Sequence, residues 1–503
     1  MIKFWRGRAV QRVIFALLGL VLALGLTVIP AFSQTPPNPF RVATEATFPP
    51  FEFQQGGQLT GFDIDLMRAI GKEADLNIDF RNLPFDGIIP ALQARTVEAA
   101  ISGMTITAER AQAISFSRPY FRAGLAIAVR EDNKTIKNFE DLKGKRIAVQ
   151  IGTTGALEAT KIPGATVSQF DSAALALQEL INGRVEAVVN DKPVTLYAIK
   201  QAGLRGVKVV GELLTEEFYG IALPKNSPYL QLINDALGRV IESGRYDAIF
   251  RQWFGEKPPE LPLVAPALKN LQESSFNWGE LFYNLIFKGV PWTILLTVLS
   301  FLFGLIGGTL VAIALISPYK WLKIICRIYV DFFRGTPMLV QLFLIYFGLP
   351  GLFREIGLNI DLDRLPAALF ALSLNVAAYL AEIMRGGIQS IDNGQWEACS
   401  SLGMSPVQTM REVIFPQAFR RMLPPLGNEF ITLIKDTSLA AVIGFEELFR
   451  QGQLMVATTY KAFEIYIAVA LVYLVLTTLS SVVFKRLEIY MDPLHKSKQE
   501  QKA

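Results

Sequence analysis

The sequence predicts a protein of two parts, an exported α/β part built from two lobes and an all-α part of membrane-spanning helices. Residues 40–260 are charged and mixed in composition, whereas long apolar runs dominate after residue 284. In the first part strand-like and helix-like segments alternate, and similar openings recur at 40–43 and 145–149. This repetition favours two α/β lobes.

The N-terminus has the pattern of an export signal at residues 1–33. Four basic residues precede an apolar stretch at 13–29, and Pro30 and small residues follow. The signal is either removed or kept as an anchor, and both alternatives place the next segment outside the cell.

Several classes of function are disfavoured by composition. The formal net charge is only +4 and no basic face stands out, which disfavours nucleic acid as a partner. Cys326 and Cys399 lie in the membrane part, and the single histidine is His495, so we predict neither a disulfide in the exported part nor a metal site. Because no G-x-x-x-x-G-K-[ST] loop is present, we predict that this chain does not bind ATP through a P-loop. We also predict no catalytic residue and no cofactor in it.

The membrane part is predicted at 284–486, with a tail at 487–503 inside the cell. Four uncharged runs are each about long enough to cross the hydrocarbon, at 289–319, 335–353, 365–381 and 465–484. A fifth, at 423–445, contains Glu429, Lys435 and Asp436 and is kept because the topology requires it. Most lysines and arginines of this part then fall in inner loops, as the positive-inside tendency requires.

One inner loop carries a motif. Glu397 and Ala398 are followed by Cys399, then Gly403 and, further on, Pro416. This spacing resembles the E-A-A loop of ABC-importer permeases, with cysteine at the third position in place of alanine. Segments 332–341, 379–387 and 435–439 resemble the polar amino-acid branch of that family.

This resemblance implies a five-helix permease of the type I importer (MetI-like) fold in a bacterial inner membrane. The loop would dock on a separate ATP-binding subunit, itself a homodimer, which would hold ATP and Mg²⁺. Permeases of this family work in pairs, so the second permease subunit would be a copy of this chain or a paralogue.

Two polar residues within the third predicted span are candidates for the transport route. Asn375 and Glu382 lie seven residues apart and share one helix face. Buried polar groups in a membrane are costly unless paired, so these residues either line the route or bind a neighbouring helix. Gly304, Gly307 and Gly308 favour close helix packing.

The exported part has its own set of motifs, at 43–53, 61–66, 85–92 and 102–110. In order and spacing they resemble periplasmic amino-acid-binding proteins of the type II two-lobed fold, over about residues 38–256. The resemblance implies a first lobe at about 38–120 and 219–256 and a second at about 124–215. The lobes would close around crossovers at 120–124 and 215–219.

The same resemblance implies a site for a zwitterion, which requires a fixed cation and a fixed anion. Arg110 would bind the α-carboxylate, with Thr154 as a second contact, and Asp191 would bind the α-ammonium. The other residues of this part of the site would enclose the side chain, as aromatic rings, or supply backbone and hydroxyl contacts: Phe48, Phe85, Ser102, Gly103 and Thr105.

Side-chain specificity is predicted from three further positions. Glu45 stands where binders of basic amino acids often carry an acid, although a glutamine binder also carries one there. Gln150 and Asn190 stand where the glutamine-binding branch tends to place a lysine and a histidine. Since these differences remove positive charge, we predict a basic amino acid first, glutamine second, and disfavour acidic ones.

A proline-rich segment at 257–283 links the two parts. Such segments are extended, at roughly 3.1 Å per residue, so about 20 residues reach on the order of 60 Å. A tethered binding part could therefore dock on its own permease, held outside the membrane in the periplasm.

Two alternatives use the same binding fold. Ligand-gated channels insert pore segments between the lobes, whereas here every predicted span follows the second lobe. An amino-acid sensor or an enzyme of this fold would leave the permease part and its loop unexplained.

Overall fold

A computed structural model describes residues 36–201, 203–266, 276–356 and 362–491. The predicted export signal at 1–33, linker residues 267–275 and the tail after residue 491, with His495, lie outside the described residues.

The first lobe is built on a five-stranded sheet that mixes parallel and antiparallel pairs. In sheet order its strands are β5 (Ile78–Asn82), β1 (Phe40–Thr44), β6 (Ala99–Ala100), β13 (Glu217–Pro224) and β7 (Ile114–Ala123). A small antiparallel sheet beside it contains β2 (Thr47–Phe48), β3 (Glu52–Gln55) and β4 (Gln58–Thr60). The helices of this lobe are α1 (Phe62–Glu73), α2 (Phe85–Gln93), α3 (Ala108–Ala113), α7 (Leu230–Glu242) and α8 (Arg245–Phe254).

The second lobe repeats this design with a second five-stranded sheet. Its order is β10 (Thr166–Phe170), β9 (Arg146–Gln150), β11 (Ala187–Asp191), β8 (Leu125–Arg130) and β12 (Val207–Val210). Its helices are α4 (Thr154–Thr160), α5 (Ala173–Ile181) and α6 (Lys192–Lys200). Every residue of β11 is buried, as expected for a central strand with both faces covered.

Two chain segments join the lobes. Strands β7 and β13 pair antiparallel, from Ile114 opposite Pro224 to Ala123 opposite Glu217. At the lobe boundary a β-carbon on Gly124 would lie 2.3 Å from the carbonyl oxygen of Thr215. The backbones of the two crossovers are therefore in direct contact at Gly124, where a larger residue would not fit. The lobes are joined by two adjacent strands.

The permease part is entirely helical among the described residues. Its helices are α9 (Trp278–Ile316), α10 (Lys320–Gly335), α11 (Met338–Phe353), α12 (Arg364–Gln389), α13 (Asn393–Ser401), α14 (Phe415–Asp436), α15 (Leu448–Thr459) and α16 (Ala462–Met491). Helices α9, α12 and α16 are each long and apolar enough to cross a membrane.

Two of the predicted spans differ from straight apolar helices. The second, predicted at 335–353, corresponds to α11. It is apolar and long enough only together with α10, which occupies a stretch predicted as an inner loop and meets α11 at 109° around Thr336 and Pro337. Helix α14 contains Glu429, Lys435 and Asp436, does not pass the same test of hydropathy, and continues into a 3₁₀ turn at Thr437–Ile443. The five-span topology therefore stays a prediction, resting on connectivity and not on apolar length.

The binding part contacts the permease part through its second lobe. Arg184 donates from Nη1 to Glu179 at 2.8 Å and from Nη2 to the carbonyl oxygen of Tyr346 at 2.6 Å. The phenol of Tyr346 donates to Glu179 at 2.7 Å, and its ring centroid lies 3.9 Å from the Arg184 guanidinium carbon. Because all three groups are buried and mutually paired, the charges cost less than they would alone.

Helices α9 and α12 pack closely along small residues. A β-carbon on Gly304 would lie 2.2 Å from Cγ1 of Val376, and one on Gly308 would lie 2.9 Å from the Ala377 carbonyl oxygen. On Gly307 the nearest atom, the β-carbon of Ala377, would be at an ordinary 3.4 Å. Two of the three glycines are therefore required by the contact.

We expect Gly304→Ala to destabilise the permease part, because the added methyl group overpacks the contact at a cost of roughly 1–3 kcal/mol. The midpoint of thermal unfolding of the detergent-solubilised chain should fall by several degrees, at about 2–4 °C per kcal/mol. Gly307→Ala is the matched control and should unfold near the wild-type temperature. Equal midpoints for the two variants would contradict the packing argument.

Candidate functional site

A small cavity lies in the cleft between the two lobes. It is lined by residues from both lobes: Phe48, Phe85, Gly103, Thr105, Arg110, Gln150, Thr153, Thr154 and Asp191. Eight of these were predicted from sequence, and Thr153 is the addition. The free space inside it is only about 10 Å³, room for about one water molecule, so the two lobes are nearly closed on each other.

Arg110 is the cation of this cavity. Thr107 caps helix α3 by accepting from the Arg110 backbone N–H, which fixes the start of the side chain. Its guanidinium donates to the carbonyl oxygen of Thr105 at 2.7 Å and, across the cleft, to that of Gly152 at 2.8 Å. The ring of Phe85 lies 5.3 Å away, and Nε is buried with no hydrogen-bond partner among the residues that the structure describes. A buried, always-charged group with a free donor suits a carboxylate.

Asp191 is the anion on the opposite lobe. It ends strand β11 and begins helix α6. The hydroxyl of Tyr219 donates to its carboxylate. Burial, together with the nearby charge of Glu217, raises the pKa of the Asp191 carboxyl. An ammonium group placed here would favour the ionised form and lower that pKa again.

Glu217 is a site residue that the sequence did not single out. It accepts from the hydroxyl of Thr105 in the first lobe at 2.6 Å and from that of Thr154 in the second at 3.0 Å. Its carboxylate thus joins both lobes next to Asp191. The available signal was an acidic residue within the predicted crossover at 215–219.

Glu45 and Gln150 form a second polar pair across the cleft. The Gln150 amide nitrogen lies 2.9 and 2.8 Å from the two carboxylate oxygens of Glu45, and Thr47 donates to Glu45 at 2.8 Å. Burial raises the pKa of Glu45 to about 7. The amide oxygen of Gln150 is buried and has no hydrogen-bond partner in the described part of the chain.

Three predicted site residues do not line the cavity. The Glu45 carboxylate binds the amide nitrogen of Gln150, and it is Gln150 that lines the cavity. Ser102 donates to Glu52 at 2.7 Å and accepts from the Glu45 backbone N–H at 3.0 Å, so its hydroxyl supports the site from the interior of the lobe. Asn190 donates to Thr195 at 3.3 Å, within the second lobe.

A pair of buried carboxyl groups behind the cavity was also not predicted. Asp63 accepts from the Gly103 backbone N–H at 2.9 Å and from the Tyr120 hydroxyl at 2.6 Å. Burial raises the pKa of Asp63 to about 6 and that of neighbouring Glu52 well above its usual range. The bond from Asp63 holds Gly103 at a φ of 48°, where Phe48 leaves no room for a β-carbon. The backbone N–H of Gly103 is therefore used within the protein.

The predicted coupling loop forms helix α13. Glu397 and Ala398 are exposed on it, whereas Cys399 is buried beneath. Gly403 follows in the left-handed region at a φ of 70°, and Pro416 lies in the first turn of α14. Leu402 is 79% exposed. An exposed carboxylate beside an exposed apolar side chain is a surface suited to another protein.

Both candidates for the transport route are paired with neighbouring helices. Asn375 donates to Gln341 at 2.8 Å and to the carbonyl oxygen of Phe333 at 3.2 Å, at the bend between α10 and α11. Glu382 accepts from Arg385 at 2.7 Å and from Arg327 at 3.1 Å. The structure thus gives these residues pairing roles, and their part in the route stays a prediction. Among the described residues no cluster of His, Cys, Asp or Glu could hold a metal ion.

Two known families match separate stretches of the chain. Residues 40–256 match the bacterial extracellular solute-binding proteins, family 3. Residues 300–489 match the inner-membrane component of binding-protein-dependent transport systems.

Individual relatives match the permease part. The probable amino-acid permease protein YxeN of Bacillus subtilis is 45% identical over 39% of this chain and 87% of its own length. The L-cystine transport system permease protein TcyB of Bacillus subtilis is 43% identical over 42% of this chain and 88% of its own length. The glutamine transport system permease protein GlnP of Escherichia coli is 41% identical over 42% of this chain and 96% of its own length.

Among solved structures, the arginine-, lysine-, histidine-binding protein ArtJ of Geobacillus stearothermophilus is 40% identical, with a TM-score of 0.42, over 43% of this chain and 96% of its own.

The first family thus accounts for the two lobes and their cleft, and the second for the helices and their exposed loop. The two families act together in transport. The chain belongs to the amino-acid ABC importers of the bacterial inner membrane, as a family 3 solute-binding domain fused to its permease, and is not itself an enzyme.

Proposed function

We propose that this chain captures a basic amino acid, or glutamine, and passes it to its own permease part. The observation that carries the proposal is a pair of buried acceptors beside Arg110 and Asp191: the amide oxygen of Gln150, which lines the cavity, and the Glu45 carboxylate, which binds the Gln150 amide nitrogen.

The backbone of a free amino acid is matched by two opposite charges on different lobes. Arg110 would bind the carboxylate and Asp191 the ammonium group, with the hydroxyls of Thr105 and Thr154 beside them. Since the cation comes from the first lobe and the anion from the second, a bound zwitterion would hold the lobes together. Hinge closure of this kind is a common response to ligand.

The side-chain end accepts hydrogen bonds and carries negative charge when Glu45 is ionised. An ammonium or guanidinium group 4 Å from a carboxylate is stabilised by roughly 4 kcal/mol at an effective dielectric of 20. The amide of glutamine would donate to the same acceptors without this Coulomb term. A glutamate side chain would place a second carboxylate against Glu45, which disfavours it.

The transport cycle would require partner subunits, one of which supplies the energy of ATP hydrolysis. ATP and Mg²⁺ would be bound by a separate ATP-binding homodimer docked at Glu397 and Ala398. A second permease subunit, either a copy of this chain or a paralogue, would complete the pathway. The binding part would face the periplasm, and the C-terminus the cytoplasm.

Specificity is tested by calorimetry of the full chain in lipid nanodiscs against arginine, lysine, histidine, glutamine and glutamate. We expect Glu45→Gln to weaken arginine and lysine binding at least tenfold and glutamine binding much less, because only the cations lose a Coulomb partner. Glu140→Gln, which removes an exposed carboxylate, is the control. Tight binding of glutamate alone would refute the proposal.

Binding of arginine should tighten as the pH rises from 5.5 to about 7 and change little above that. Below pH 7 the raised pKa of Glu45 keeps its carboxyl protonated, so a cation must first displace the proton, and above pH 7 this cost disappears. Calorimetry in buffers of different protonation enthalpy should show proton release below pH 7. Glu45→Gln should release fewer protons, whereas a slope unchanged in that variant would exclude Glu45 as the titrating group.

Coupling to the ATP-binding subunit is tested by measuring amino-acid uptake in cells. Glu397→Ala should lower uptake at least tenfold and leave amino-acid affinity unchanged, because the carboxylate is exposed on helix α13 and does not line the cavity. Glu412→Gln removes an exposed carboxylate of the same segment and should transport normally. Normal uptake by the Glu397 variant would count against this docking site.

A further inference from the structure

We propose that helix α15 is a latch through which the permease part holds the binding cleft closed, with Arg450 as its principal contact. The proposal rests on the proposed function and adds the residues that connect the amino-acid site to the membrane part.

The start of α15 is fixed to the body of the permease. Glu447 is fully buried and accepts from the backbone N–H groups of Phe449 at 2.9 Å and Arg450 at 2.8 Å. Tyr473 of helix α16 donates to the same carboxylate at 2.8 Å, and the Leu448 N–H donates to Thr293 of helix α9 at 3.1 Å. The start of helix α15 is therefore anchored by hydrogen bonds to two membrane helices, α9 and α16.

Arg450 reaches from this fixed point into the second lobe. Its Nη1 donates to the Asp171 carboxylate at 2.7 Å and its Nη2 to the carbonyl oxygen of Gln169 at 2.6 Å. The side chain is only 1% exposed. Nearby, a β-carbon on Gly444 would lie 2.9 Å from the Gln169 carbonyl oxygen, so the permease chain passes directly against this lobe. A buried arginine that makes two hydrogen bonds to the other side is a typical anchor of an interface.

The far end of α15 lies where the two lobes meet. A β-carbon on Gly152, in the second lobe, would lie 3.5 Å from Cβ of Asp86 in the first lobe and 3.7 Å from Cβ of Ala457. Just beyond the helix, Tyr460 is buried in the same apolar cluster as Phe85 of the first lobe. Helix α15 thus contacts both lobes across the mouth of the cleft, and opening the cleft would separate these contacts.

A short chain of hydrogen bonds leads from the latch to the amino-acid site. The Asp171 carbonyl oxygen accepts from the Gln150 amide at 3.4 Å, and the same amide binds the Glu45 carboxylate of the first lobe. Arg450, Asp171, Gln150 and Glu45 therefore link the permease, the second lobe and the first lobe in sequence.

Ligand capture and docking should consequently favour the same closed state. When two events stabilise one state of a protein, each raises the affinity of the other by the same factor. Loss of the latch lowers the population of the closed state, and apparent ligand affinity falls in proportion.

The test is calorimetry of arginine binding to the full chain in nanodiscs, for Arg450→Gln, Asp171→Ala and the double variant. Glutamine at 450 keeps a polar head, and the Asp171 side chain is 35% exposed, so both variants should fold, as checked by gel filtration. Arg411→Ala, at an exposed arginine of the permease part, is the control.

We expect each single variant to bind arginine about tenfold more weakly and the double variant to bind no more weakly than either, because both remove the same contact. The control should bind like the wild type. Single variants of wild-type affinity, or losses that multiply in the double variant, would overturn the latch. A wild-type chain that binds none of the five amino acids would instead refute the proposed function.

Discussion

The structure depends on burying the Arg110 guanidinium between two lobes. An isolated buried charge is very costly, and here it is compensated by carbonyl oxygens of Thr105 and Gly152, one from each lobe. The charge of Arg110 is therefore fully compensated only when the two lobes close on each other. The left-handed Gly103, the cross-lobe bonds of Glu217 and the pair of Glu45 and Gln150 are all arranged around a cleft that is complete only when both lobes contribute.

The same reasoning extends to the membrane part. Arg184 and Arg450 both lie in the contact between the second lobe and the permease, and both are buried with carboxylate and carbonyl partners. Since each arginine donates across the boundary, the two parts of the chain have complementary polar surfaces. A flexible tether of about 20 residues would raise the local concentration to roughly the millimolar range, and such a contact would then need to be only moderately strong.

Patterns local in the sequence were the predictable ones. The apolar runs indicated helices α9, α12 and α16, and the alternating segments and ordered motifs around Phe85 and Arg110 indicated a two-lobed site. Features that need two distant segments were not predictable. Glu217 and Asp63 acquire their roles from Thr154 and Gly103, which are far away along the chain. The bend between α10 and α11 is likewise stabilised by Asn375 on another helix.

The sequence alone was sufficient for the class of protein and the order of its parts, because composition, periodicity and ordered motifs are properties of neighbouring residues. The roles of Arg110 and Asp191 follow from the family resemblance and stay predictions. Tertiary structure decided which polar groups are left free to bind and which are already paired. Ser102, Asn190 and Glu382 carry suitable functional groups, yet each is hydrogen-bonded within the protein. Burial makes this pairing necessary, and burial depends on residues that meet only after the chain has folded.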